Sequence, residues 1–158
     1  MGMMKIDRLK EIVTAIDALV KKEVLVGIPD GSPDRKDNEP ISNAAIGYIQ
    51  ETGSPVNNIP ARPFLVPGVA DVQRQVADRL GAGAGAALDG DLEAAERQMG
   101  AAGMIASSSA KHKINSNIQP ELKESTLEAR RRRGVTRENT LVDTGSLRNA
   151  ITYVIRKK

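Results

Sequence analysis

Apolar positions recur at steps of three and four near the start of the chain: Ile6, Leu9, Ile12, Val13, Ile16, Leu19 and Val20. That spacing predicts an amphipathic helix over residues 6–22. Lys21 and Lys22 fall in its last turn, where positive charge complements the helix dipole. The pattern then changes to an unbroken apolar run, Val24, Leu25, Val26, Gly27 and Ile28, stopped by Pro29. This predicts a short strand, and its two apolar faces point to the interior of a sheet. Residues 29–40, PDGSPDRKDNEP, are turn formers and read as a polar loop. Ser42 is suited to cap a helix over 43–52, with Gly53 just past its end and Ile46 and Ile49 facing the core near Tyr48.

Pro60, Pro63 and Pro67 forbid a regular helix over 59–67 and favour a stiff extended segment. A helix is predicted over 67–80, with Val69, Val72, Val76 and Leu80 on one side. Residues 81–90, GAGAGAALDG, read as a Gly-rich hinge. Helical spacing returns over 91–118 through Leu92, Ala95, Met99, Ala102 and Ala106, although Gly100 and Gly103 weaken it unless another backbone approaches there. The polar, basic stretch 119–140 reads as a long loop or arm. Asp143, Thr144, Gly145 and Ser146 then precede a strand over 150–155, in which Ile151, Tyr153 and Ile155 alternate with Thr152 and Val154. The expected architecture is one α+β domain over 1–158: a small, mostly antiparallel sheet packed with helices, plus a flexible or extended arm.

Composition narrows the chemistry more than the fold. Phe64, Tyr48 and Tyr153 are the only aromatics among 158 residues, so the core must be aliphatic, and base stacking on an aromatic platform is not expected. The sequence has no Cys and a single His, which excludes disulfides, thiol catalysis, Cys-based zinc sites and paired imidazoles within one chain. No apolar run approaches the roughly 20 residues of a membrane span, and the N-terminal stretch does not resemble a signal peptide. A protein that stays inside the cell that makes it is therefore expected. Residues 1–80 hold ten Lys/Arg and eleven Asp/Glu, whereas residues 81–158 hold thirteen and nine. The excess is densest at Arg130, Arg131, Arg132 and Arg133, a run that reads as a phosphate binder, a solvated loop or a protein-contact arm.

Few motifs suggest catalysis. Leu141 to Ser146, LVDTGS, looks like an aspartic protease loop, and a homodimer would supply the second carboxylate. The thirteen residues after Gly145 are too few for the strands and flap that such a fold places downstream. The plainer expectation is that Asp143 or Thr144 caps one helical turn before the last strand. GAGAGA lacks phosphate-loop spacing and follows a helix rather than a strand. His112 lies between Lys111 and Lys113, and Asp89, Asp91, Glu93 and Glu96 suit the acidic first turn of a helix. No catalytic, cofactor or metal residue is therefore assigned, and no small-molecule substrate is expected.

Two segments carry a resemblance. One runs from Ile46 to Gly53, IGYIQETG, and on through Ile59 to Leu65, IPARPFL; the other is TLVDTGSLRNAITY, from Thr140 to Tyr153. A helix ending in E-x-G, an IPARPFL segment and a late D-T-G-x-L-R before a final strand resemble the tail-completion or head–tail connector (neck) proteins of lambdoid-type tailed phages. The strand at 24–28 fits the same pattern. Where the family usually has H-E-F/Y-G, this chain has Gln50, Glu51, Thr52 and Gly53. The resemblance covers about half of the chain and implies a non-enzymatic virion protein, assembled in the host cytoplasm into a ring around the DNA channel. Its implied partners are further copies of itself and portal-side, neck or tail-tube proteins, with packaged DNA as a further contact. Arg62, Pro63, Phe64 and Leu65, with Arg130 to Arg133, are the expected assembly interface; Phe64 reads equally as core. A tail terminator and a nucleic-acid-binding accessory protein are the alternatives.

Overall fold

The computed structural model describes residues 2–31 and 40–158, so most of the expected 29–40 loop lies outside the described residues. The fold is α+β: helices α1 (Gly2–Val20), α2 (Asn43–Thr52), α3 (Leu65–Ala70), α4 (Gln73–Leu88), α5 (Leu92–Asn115), α6 (Glu124–Arg132) and α7 (Ser146–Ala150), with strands β1 (Lys22–Gly27) and β2 (Thr152–Lys157). The strands form a two-stranded antiparallel sheet, extended by a bond from Lys158 N to Lys21 O. β1 therefore does not lie inside a sheet as its two apolar faces suggested. It pairs on one edge only among the described residues, and Leu25 stays exposed.

The chain divides into two compact units. The first comprises Met1–Val26, Val72–Ala106 and Tyr153–Lys158. Its buried apolar residues are Ala15, Ala87, Ala95, Met99, Ala102 and Ala106, which explains how so few aromatics suffice. Small side chains let elements approach closely. A Cβ on Gly103 would lie 2.4 Å from Tyr153 Cδ2, so this glycine admits an aromatic ring rather than the expected backbone.

The same packing corrects the hinge. Residues 81–88 continue α4 without a break, because their alanines are strong helix formers and Gly83 seats against α5. A Cβ there would come within 3.3 Å of Ala95 O and Gln98 Cβ. The chain turns only after Leu88, where Gly90 takes φ +85° and Asp91 accepts the Ala94 N–H at 2.8 Å to open α5. Of the acidic residues expected in a first helical turn, Asp91 caps α5 and Glu93 lies in its first turn, whereas Asp89 ends α4. The expected single helix at 67–80 is two helices, α3 and α4, broken at Asp71 and Val72.

The second unit comprises Gly27–Asp71 and Ser107–Thr152. Phe64, Ala110, Ile114, Leu141, Val142, Leu147 and Ile151 form its core, with Ile28, Ile46, Leu65 and Ile118 packed against them. α3 lies close on the C-terminal part of α5: a Cβ on Gly68 would meet Ala110 Cα at 2.7 Å, and Ser109 Oγ donates to Gly68 O at 2.6 Å. The stretch 119–140 is not a free arm, since α6 forms within it and the loop after α6 folds onto its own helix. Leu127 and Arg130, one turn apart, mark the inward side of α6.

Candidate functional site

The second unit brings together the segments singled out in the sequence. Ser42 Oγ accepts the Ala45 N–H at 3.2 Å and opens α2, and Gly53, at φ +76°, ends it with its N–H on Ile49 O at 2.7 Å. A tight turn follows, in which Ser54 and Ile59 exchange backbone bonds at 2.8 and 3.0 Å. The returning chain then runs beside α2, and Arg62 N donates to Gln50 O at 2.6 Å.

This path places the Glu51 carboxylate over the start of α3. Its oxygens accept the N–H groups of Phe64, Leu65 and Val66 at 2.8, 2.9 and 2.9 Å. Those donors have no partner inside the helix, and a carboxylate suits them in charge as well as geometry. The Glu51-x-Gly53 pattern and the IPARPFL segment are thus two halves of one capping device. Phe64, held by it, is 1% exposed and fills the core with Leu147 and Ile151 from the late motif. Asn43 at the start of α2 joins Ser146 at the start of α7 through two side-chain contacts of 3.1 and 3.3 Å.

Two arginines expected at an interface are internal. Arg62 is buried and donates to Pro120 O at 2.7 Å and Glu121 O at 3.1 Å. Arg130 is buried and binds Arg137 O, Asn139 O and Thr140 O at 3.0, 2.7 and 3.2 Å. It organises the loop between α6 and α7. Burial lowers the affinity of both guanidinium groups for their protons. At Arg62 the neighbouring charge of Arg130 adds to this; at Arg130 the Asp143 carboxylate opposes it. Both side chains tolerate burial because the planar fork meets several carbonyls at once.

The other expected interface residues differ. Pro63 is exposed and Leu65 is half-buried against the core. Arg131 is exposed on α6 and pairs with Glu124 at 2.8 Å, which raises its guanidinium above the usual range. Arg133 is exposed and pairs with Asp143 at 2.9 Å; Arg132 is exposed. The expected interface is therefore corrected: Arg62, Phe64 and Arg130 hold the unit together, while Pro63, Arg131, Arg132 and Arg133 remain on its surface.

A polar pocket of about 240 Å³ lies in this unit, lined by Asn43, Gln50, Arg62, Arg130, Asp143 and Ser146 among others. Gln50 Oε1 and Asp143 Oδ1 are buried in it without a hydrogen-bond partner. Asp143 of the D-T-G-S motif faces two guanidinium groups, with Oδ2 bonded to Arg133 and Oδ1 3.9 Å from Arg130 Nε. Such surroundings hold a charged carboxylate in place; they do not resemble two carboxylates sharing a proton. Ser146 is bonded to an amide, which cannot take its proton. Gly145, at φ +85°, rather than Asp143 or Thr144, occupies the cap position of α7. Thr144 Oγ1 adds a contact of 3.3 Å from Ser146 N.

His112 is exposed on α5. Among the described residues no three His, Asp or Glu side chains are grouped to hold a metal ion, and no helix is long and apolar enough to cross a membrane. Sequence reasoning missed the roles of Glu51 and Arg130. The first is signalled by a carboxylate two residues before a helix-ending glycine, the second by an arginine one turn after Leu127 on the apolar side of α6. No family model, curated protein or solved structure matches the chain.

Proposed function

We propose that this chain is a structural virion protein of a tailed phage, completing the tail or connecting it to the head within a neck ring around the DNA channel. The observation that supports this reading is the interlocking of the two segments on which the resemblance rests. Glu51 caps the helix that follows Arg62 and Phe64, and Phe64 shares a core with Leu147 and Ile151 of the late motif. Residues so far apart in sequence act as one structural unit, and their work is to hold a shape. The ring places copies of this chain beside one another and beside portal-side, neck or tail-tube proteins, with Pro63 and the arginines 131–133 at the end of α6 as the contact residues. Assembly takes place in the host cytoplasm and the product resides in the virion; the role requires no cofactor and no catalysis.

The alternative of a nucleic-acid-binding accessory protein draws less support. Arg130 is buried, and Arg131 and Arg133 already pair with carboxylates of the chain. Deleting the gene from the phage tests the proposal. The expected result is unjoined heads and tails, which form infectious particles when purified protein is added. Normal virions formed without the protein overturn it.

A further inference from the structure

One face of α1 is apolar and uncovered. Leu9 is 64% exposed, Val13 57%, Ile16 43% and Val20 62%. They follow one another at steps of four, three and four, so they form a single stripe along the helix. The stripe is distinct from the side that packs within the first unit, where Ala15 is buried and Ile12 and Leu19 are half-buried. Four large aliphatic side chains at steps of four, three and four have the spacing of a helix-pair seam.

Charge indicates what covers them. Lys10 and Asp17 stand on the same flank of the stripe, seven residues apart and opposite in sign; Asp17 pairs with Lys21 of its own chain at 2.5 Å, a solvent-exposed pair that leaves its carboxylate open to a second cation. If a second α1 packs antiparallel, Leu9 meets the other helix's Val20 and Val13 meets its Ile16. Each contact occurs twice about the two-fold axis. In that register Lys10 lies beside the other copy's Asp17, and Asp17 beside its Lys10. The stripe and its flank are therefore self-complementary, which is the requirement for an isologous contact.

We propose that α1 is a self-association surface, pairing antiparallel with α1 of a second copy of this chain. The contact closes on itself and stops at a dimer, leaving other surfaces for larger assembly; it does not depend on the neck-protein reading.

Sedimentation velocity of the full chain, over roughly a hundredfold range of concentration, tests it. Wild type is expected to pass from monomer to dimer. Val13→Glu is expected to stay monomeric with an unchanged far-UV circular dichroism spectrum, and Leu9→Gln to weaken the dimer as an independent check. Lys10→Glu and Asp17→Lys, each placing like charges together twice, are expected to weaken association by about tenfold. Their combination is expected to restore it to within about threefold of wild type. A wild type that stays monomeric, or a dimer indifferent to Val13→Glu and Leu9→Gln, overturns the surface. Single charge reversals that the double variant fails to rescue overturn the antiparallel register.

Discussion

Replacing Glu51 by alanine removes the acceptor of three backbone N–H groups at 2.8 to 2.9 Å. The Phe64 and Leu65 donors are partly buried, and each costs about 1–3 kcal/mol when left without a partner. The Val66 donor is exposed, and water replaces the carboxylate there at little cost. The expected loss is about 3 kcal/mol in the second unit, or roughly 6–12 °C in its melting temperature for a chain of this size. Glu51→Gln keeps an acceptor oxygen but turns an amide N–H₂ toward the remaining donors, so about 1–2 kcal/mol is expected. Urea unfolding measures the difference, read from the midpoint at unchanged slope. Because the chain has two units, amide exchange at Phe64 and Leu65 localises the loss. Both variants within 0.5 kcal/mol of wild type, with unchanged exchange at those amides, would refute the capping role.

Other substitutions probe separate parts of the fold. Gly81→Ala, where an added Cβ meets nothing within 4 Å, is expected to stabilise α4 by about 0.5–1 kcal/mol; destabilisation on thermal melting would argue for a hinge. Gly103→Ala gains the same helix propensity but drives a methyl into the Tyr153 ring, so a net loss of about 1–3 kcal/mol is expected in the same assay. Arg130→Lys keeps the charge but cannot reach the carbonyls of Arg137, Asn139 and Thr140 together, and a loss of about 2–4 kcal/mol is expected by urea titration. Phe64→Ala empties the centre of the second unit and is expected to cost about 3–5 kcal/mol, appearing as unfolding rather than as loss of a surface contact.

The elements that sequence reasoning reads correctly are those whose signals are local. α2 carries Ser42 and Gly53 at its ends, and α5 carries Ala95, Met99, Ala102 and Ala106 at helical steps; both lie where the pattern puts them. Errors arise where tertiary packing reverses a local preference. Glycine in GAGAGA argues for a hinge when α4 is considered alone, but Gly83 is the residue that lets α4 rest on α5. Charge in the 119–140 stretch argues for a solvated arm, but loop carbonyls surround Arg130 from residues seven to ten positions further on. The site was legible as motifs and not as roles. Nothing in IPARPFL states that the Phe64 N–H belongs to a carboxylate thirteen residues earlier, because that pairing depends on the turn through Ser54 and Ile59. Arg62 and Phe64 look like contact residues in an extended segment until the returning chain buries them against Pro120 and the core.

Cryo-electron microscopy of purified virions tests the central claim most directly. The account predicts a closed ring at the head–tail junction whose subunit density accommodates the unit built from Gly27–Asp71 and Ser107–Thr152, with Arg62 and Phe64 internal and the exposed α6 arginines at its surface. A junction whose density is fully explained by other chains, in virions from which this protein is missing by mass spectrometry, would contradict it.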